Sequence, residues 1–132
     1  MGDVMSAVQW KEQPDAHDYP AAAAYLSLVA DPGTVSLIGE RLKAAPVAHY
    51  KAKDILRASR LADLPADDVN VAKDIHKAKS GKALSPVLLV RGDFLRDVPL
   101  QIADGYHRVC ASYRLDEDMD IPCRIVGLTE PH

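Results

Sequence analysis

The stretch Pro99 to Arg108, read P-L-Q-I-A-D-G-Y-H-R, constrains this chain more than any other. Leu100, Ile102 and Ala103 read as the end of a buried strand, and Asp104-Gly105 is a turn signal. From Tyr106 onward the pattern is helical, with Val109, Ser112 and Tyr113 at helical spacing. A strand that turns through glycine straight into a helix leaves the first amides of that helix pointing outward. Together with the positive end of the helix dipole they form a natural place for an anion. His107 and Arg108 fall in that first turn, where the dipole disfavours positive charge unless an anion shares the site. The same residues admit a second reading without a ligand, in which Asp104 caps the helix and pairs with Arg108.

Around that segment the chain divides by its punctuation. Residues 1–16 carry Trp10 as their one large anchor and read as an N-terminal arm. Asp18 and Pro20 mark the start of an Ala-rich helix to about residue 30, with Tyr25, Leu28 and Val29 on one side. Asp31-Pro32 begins a second helix, which Pro46 stops, with Val35, Ile38, Leu42 and Ala45 as its apolar stripe. Val47 to Lys53 reads as a strand leading into a short helix. Asp67 or Asp68 then caps a helix with Val69, Ala72, Ile75 and Ala78 in its stripe, ended by Gly81. Pro86 to Val90 reads as a central strand, Val98 to Ala103 as its hairpin partner, 106–115 as a helix and Ile121 to Val126 as a last strand. Strands and helices in this order suggest an α+β or mixed α/β domain, and the expected fold is a small α+β domain with a mixed sheet.

The run I-A-D-G-Y-H-R-V-C-A-S-Y-R-L from Ile102, with I-P-C-R-I-V from Ile121, resembles the second half of the ParB/sulfiredoxin superfamily fold. There a strand ends in a glycine turn, a helix opens with His-Arg or Arg-Arg, and a strand introduced by I-P or V-P follows. S-P-V-L-L-V from Ser85 resembles the P-I-x-V strand of that family. The resemblance covers about residues 47 to 127. It implies a ParB/sulfiredoxin-like domain over 47–132 and two extra N-terminal helices over 1–46, forming one compact unit.

The resemblance also implies a ligand, a nucleoside triphosphate (ATP or CTP) with magnesium. The turn Gly105, Tyr106, His107 and Arg108 would contact its phosphates. Arg108 offers a planar fork matched to phosphate, and His107 can trade a proton near neutrality. Asp104 is either a helix cap or the carboxylate that holds magnesium, and with His107 it is the candidate for catalysis. Ser85 and Lys73 are candidates for the second wall, with His76 and Lys77 nearby. Asp54 and Asp74 are equal candidates for a further carboxylate. Two departures narrow the activity. Tyr106 stands where sulfiredoxins carry their reactive cysteine, and no long DNA-binding helical domain follows, so sulfinyl chemistry and DNA binding are not expected.

Charge fits a small anionic ligand better than a nucleic acid. The net charge is −3, yet residues 41–82 carry ten Lys/Arg against five Asp. Cys110 and Cys123 make neither a disulfide framework nor a zinc site. No apolar run approaches the roughly 20 residues of a membrane span, and M-G-D-V-M-S-A-V lacks a signal-peptide pattern, so a cytoplasmic location is expected. The function expected is a nucleotide-dependent phosphotransferase or hydrolase. A non-catalytic protein-interaction module on the same fold is the alternative, and a nuclease ranks last.

Overall fold

The computed structural model describes residues 8–128. Residues 1–7 of the expected arm lie outside that range. The chain is a small α+β protein with five α-helices and a four-stranded mixed sheet among the described residues. In chain order these are α1 (Asp18–Leu26), α2 (Pro32–Ala44), β1 (Val47–Lys51), α3 (Ala52–Ser59), α4 (Val69–Lys79), β2 (Val87–Val90), β3 (Gln101–Asp104), α5 (Tyr106–Leu115) and β4 (Asp120–Val126). A 3₁₀ turn, Phe94–Arg96, sits between β2 and β3. The sheet order is β1-β4-β2-β3. β4 pairs antiparallel with β1 and parallel with β2, and β2 pairs antiparallel with β3. None of the helices in this range is long and apolar enough to cross a membrane.

The unbroken apolar run of β2 is explained by what covers it. All four of its residues are buried, and successive side chains point to opposite faces. Val87 and Leu89 enter a core with Ala52, Ile55, Val71, Val109, Cys110 and Ile121. Leu88 and Val90 enter a second core with Ala22, Leu26, Ile38, Leu42 and Val126. The helices α1 and α2 therefore cover one face of the sheet, and α3 and α5 cover the other.

Two apolar stripes differ from the sequence expectation. In α1 the buried positions are Asp18, Ala22 and Leu26, whereas Leu28 is 83% exposed and Tyr25 and Val29 also face solvent. Four consecutive alanines give a helix no preferred face, so its rotation is set by residues with tertiary partners: Asp18 beside Arg108, Tyr19 under Lys43, and Tyr25, whose hydroxyl donates to Gln101 Oε1. The helix starts at Asp18, where the sequence marks it, and ends at Leu26 rather than near residue 30. In α4 the inward positions are Val71, Ile75 and Ala78, and Val69 is exposed. Asp68 does cap that helix, accepting from the amides of Asn70 and Val71 at 3.0 Å each. The return strand is shorter than expected: β3 begins at Gln101, and Val98 forms only an isolated bridge with Asp93.

The arm is tied down. Trp10 bridges Leu84, with Lys11 N–H donating to the Leu84 carbonyl at 2.8 Å. Deeper in, Arg124 of β4 is buried and ends α2. Its Nη1 donates to the carbonyls of Lys43 at 2.6 Å, Ala45 at 2.9 Å and Leu42 at 3.3 Å, and its Nη2 donates to Gln13 Oε1. A cation at a helix C-terminus satisfies carbonyls that have no helical partner and complements the dipole. Arg124→Met keeps apolar bulk but strands those carbonyls, so a loss of about 3 kcal/mol is expected in urea unfolding. A loss below about 1 kcal/mol would show that water replaces the guanidinium there.

Candidate functional site

The strand-turn-helix segment forms as the sequence predicts. β3 ends at Asp104, Gly105 adopts φ 108° and ψ 16°, and α5 starts at Tyr106. No side chain caps α5. The Asp104 carboxylate turns instead to Arg108, accepting from Nη2 at 2.9 Å, so the pairing half of the cap reading holds and the capping half does not. Gly105 has a reason within the protein. A Cβ at this position would lie 2.5 Å from Val87 Cγ1 and 2.8 Å from Arg108 Nη2, and the positive φ disfavours any other residue.

Arg108 is the hub of a charged cluster that the sequence did not reveal. Its Nη1 lies 3.9 Å from Oδ1 of Asp18, whose side chain is 3% exposed. Asp18 Oδ2 accepts from the Asp15 amide at 2.9 Å. Asp18 also lies against Asp104. Burial, and then the neighbouring Asp18, raise the Asp104 carboxyl above the usual carboxylate range, while Arg108 opposes them. The Nε of Arg108 is buried and has no partner among the described residues.

On the other side of Arg108 a cleft of about 240 Å³ opens between α4 and the start of α5. Its lining is Asn70, Lys73, Asp74, Lys77, Asp104, Gly105, His107 and Arg108. Positions 70, 73, 74 and 77 share one side of α4, next to the buried Val71–Ile75–Ala78 stripe, so helical spacing brings them to the cleft together. The expected residues Asp104, Gly105, His107, Arg108 and Lys73 are thus brought to one place. Ser85 and Tyr106 are not among the lining residues. Ser85 is buried. Tyr106 packs against the α3–α5 core, and its hydroxyl donates to the Ala62 carbonyl at 2.6 Å.

Asp74 and Asp54, equal in the sequence, are separated by the structure. Asp54 lines a different, apolar hollow with Tyr50, Ile55, Leu89 and Leu100, and Arg57 stands 3.5 Å from it. Asp74 is half-buried in the cleft, and among the described residues it makes no hydrogen bond or ion pair. Burial holds its carboxyl above the ordinary aspartate value of 3.8, against the opposing pull of Arg108, Lys77, His107 and Lys73. Lys77 and Asn70 complete the α4 wall. The thiols stand apart from this chemistry: burial raises Cys110 and pushes Cys123 up to about 12.

Two carboxylate positions bear on a metal. Asp104 has a guanidinium on one oxygen and Asp18 beside it, which does not suit the magnesium role. Asp15, His17 and Asp18 offer ligand atoms within 4.8 Å of one another. Asp15 is already held by Lys11 Nζ at 2.7 Å, and Arg108 stands by Asp18. Local cations therefore balance these carboxylates.

The raised Asp74 carboxyl has a defined consequence for stability. Its folded value lies above the unfolded one, so its contribution is fully present below 3.8 and is lost as pH rises through the raised value. Asp74→Asn removes this loss. The variant is expected to be more stable than wild type near pH 7, with the gap closing toward about pH 4 in urea unfolding at several pH values. A gap independent of pH would overturn this account of Asp74.

The chain matches no protein-family model, no curated protein and no solved structure.

Proposed function

We propose that the α4–α5 cleft binds the phosphate of a small phosphorylated molecule. The observation that supports this most is the pair Lys73 and Lys77, which line the cleft beside His107, Arg108 and the uncapped start of α5. Neither lysine makes a side-chain hydrogen bond or ion pair among the described residues. Like charges at i and i+4 repel by roughly 0.2–0.5 kcal/mol on an isolated helix, and an anion between them reverses that sign. The helix amides add directional donors for phosphate oxygens, and the Arg108 guanidinium, already engaged by Asp104, adds positive charge at the cleft wall.

The resemblance to the ParB/sulfiredoxin superfamily makes a nucleoside triphosphate, ATP or CTP, the first ligand to try, and phosphotransfer or hydrolysis the reaction to look for. Asp104 is engaged by Arg108, so binding is expected without a magnesium ion on that carboxylate. A second reading, a protein-docking module, has one observation in its favour. Phe94 and Leu95 on the β2–β3 connection are 96% and 93% exposed, far more than apolar side chains that serve only the fold.

The test is a thermal-shift screen of ATP, CTP, GTP, their diphosphates and pyrophosphate, each with and without magnesium. A ligand at 100 times its dissociation constant that binds only the native state adds about 2.7 kcal/mol of stability. The diagnostic variant is Lys73→Gln with Lys77→Gln, since both side chains are on an exposed helix surface and the fold does not need them. Arg108→Ala alone is a poor probe because it leaves Asp18 and Asp104 without their guanidinium. A phosphate-dependent shift in wild type that is lost in the double variant is the expected result. A flat screen on folded protein would overturn the phosphate reading and favour docking through Phe94 and Leu95.

A further inference from the structure

The cleft holds one charged group that a phosphate does not explain. Asp74 sits within it as a half-buried carboxylate with no hydrogen bond or ion pair among the described residues, on the same wall as Lys73 and Lys77. A carboxylate next to a phosphate site weakens the binding of a plain anion, because like charges repel in a partly desolvated cleft. Asp104 does not raise the same difficulty, since Arg108 already pairs with it. The lining is also informative by its composition: all eight residues are polar, charged or glycine, His107 supplies the one aromatic ring among them, and no aliphatic side chain is present to cover a long apolar chain.

We propose that the ligand recognised here is a compact zwitterionic phosphate ester, whose phosphate lies against Lys73, Lys77, Arg108 and the start of α5 and whose ammonium group is received by Asp74. This rests on the phosphate reading above and adds to it the second half of the ligand. The charges then match: two ammonium groups and a guanidinium face the phosphate, and the one carboxylate without a partner faces the cation. An ammonium–carboxylate hydrogen bond in such a site is worth more than a neutral one, and a ligand lacking the ammonium leaves Asp74 opposed to the phosphate. Burial holds the Asp74 carboxyl up, and an arriving ammonium would lower it again.

The experiment compares three probes by calorimetric titration of the full chain: inorganic phosphate, n-propyl phosphate and phosphoethanolamine. The last two have nearly the same size and differ by a methyl against an ammonium. Wild type is expected to bind phosphoethanolamine about tenfold more tightly than n-propyl phosphate, the lower end of what a charge-assisted hydrogen bond supplies. Asp74→Asn is expected to remove that preference while binding n-propyl phosphate at least as well as wild type does. Unfolding curves recorded alongside show that the variant is folded. Equal binding of the two esters by wild type, or a preference that survives in Asp74→Asn, overturns the role of Asp74 and leaves the phosphate site standing. If none of the three probes binds, the phosphate reading fails and this inference fails with it.

Discussion

A carboxylate taken out of water must find a positive partner, and in this protein that requirement joins the two sides of the sheet. Asp18 opens α1, which packs on one face, and Arg108 belongs to α5, which packs on the other. They meet at the end of β3, where Asp104 takes the second half of the guanidinium. Removing one member of such a group leaves the others charged and unpaired, which costs far more than the contact itself contributes. The N-terminal helical layer is therefore coupled to the segment that builds the cleft, although the two are far apart in sequence.

That coupling explains why arginine, rather than lysine, suits position 108. A planar guanidinium can give one nitrogen to Asp104, face Asp18 with the other and still border the cleft, whereas an ammonium is a single point of charge. Held from behind by two carboxylates, Arg108 lines the cleft in a fixed position. Gly105 contributes to the same arrangement, because the space its missing Cβ leaves is occupied by Val87 and by Arg108 itself. The glycine and the arginine of the turn both have full structural reasons to be there, whatever ligand comes.

The order of elements was legible because its signals are local. Asp31-Pro32 and Asp68 start helices, Gly81 ends one, and the apolar run of β2 declares a strand buried on both faces. The face that α1 buries was not legible, since A-A-A-A carries no periodic signal and the partners of Asp18 and Tyr25, Arg108 and Gln101, lie far away in sequence. Of the residues around the cleft, the turn and Lys73 were readable and Asp18 was not, as an acid that marks a helix start gives no sign in sequence of being buried against Arg108. Ser85 and Tyr106 fall outside the cleft lining for a shared reason. Adjacency in sequence to the strand or the turn does not fix which way a side chain points, and these two point into the protein. Asp74 was separable from Asp54 only after α4 and α3 had been placed against different parts of the sheet.

The contrast between satisfied and unsatisfied charge is the most direct guide to function in this fold. Arg124 is buried and gives its Nη1 donors to the carbonyls at the end of α2; Arg108 is partly buried and pairs with two carboxylates; Lys53 and Asp118 pair with each other at 2.6 Å. These charges are engaged within the fold, with the Nε of each arginine the donor left over among the described residues. Lys73, Asp74 and Lys77 are different. They lie within one turn of α4, against a cleft walled by α5, and make no such contacts among the described residues. A solvated helix surface accounts for lysines that face open water, but not for a carboxylate whose ionised form is penalised by burial in the same place. Such a group is easier to maintain if a cation arrives to share it, just as the two lysines are easier to maintain beside an anion. The two needs together are what the dipolar ligand proposed above would meet.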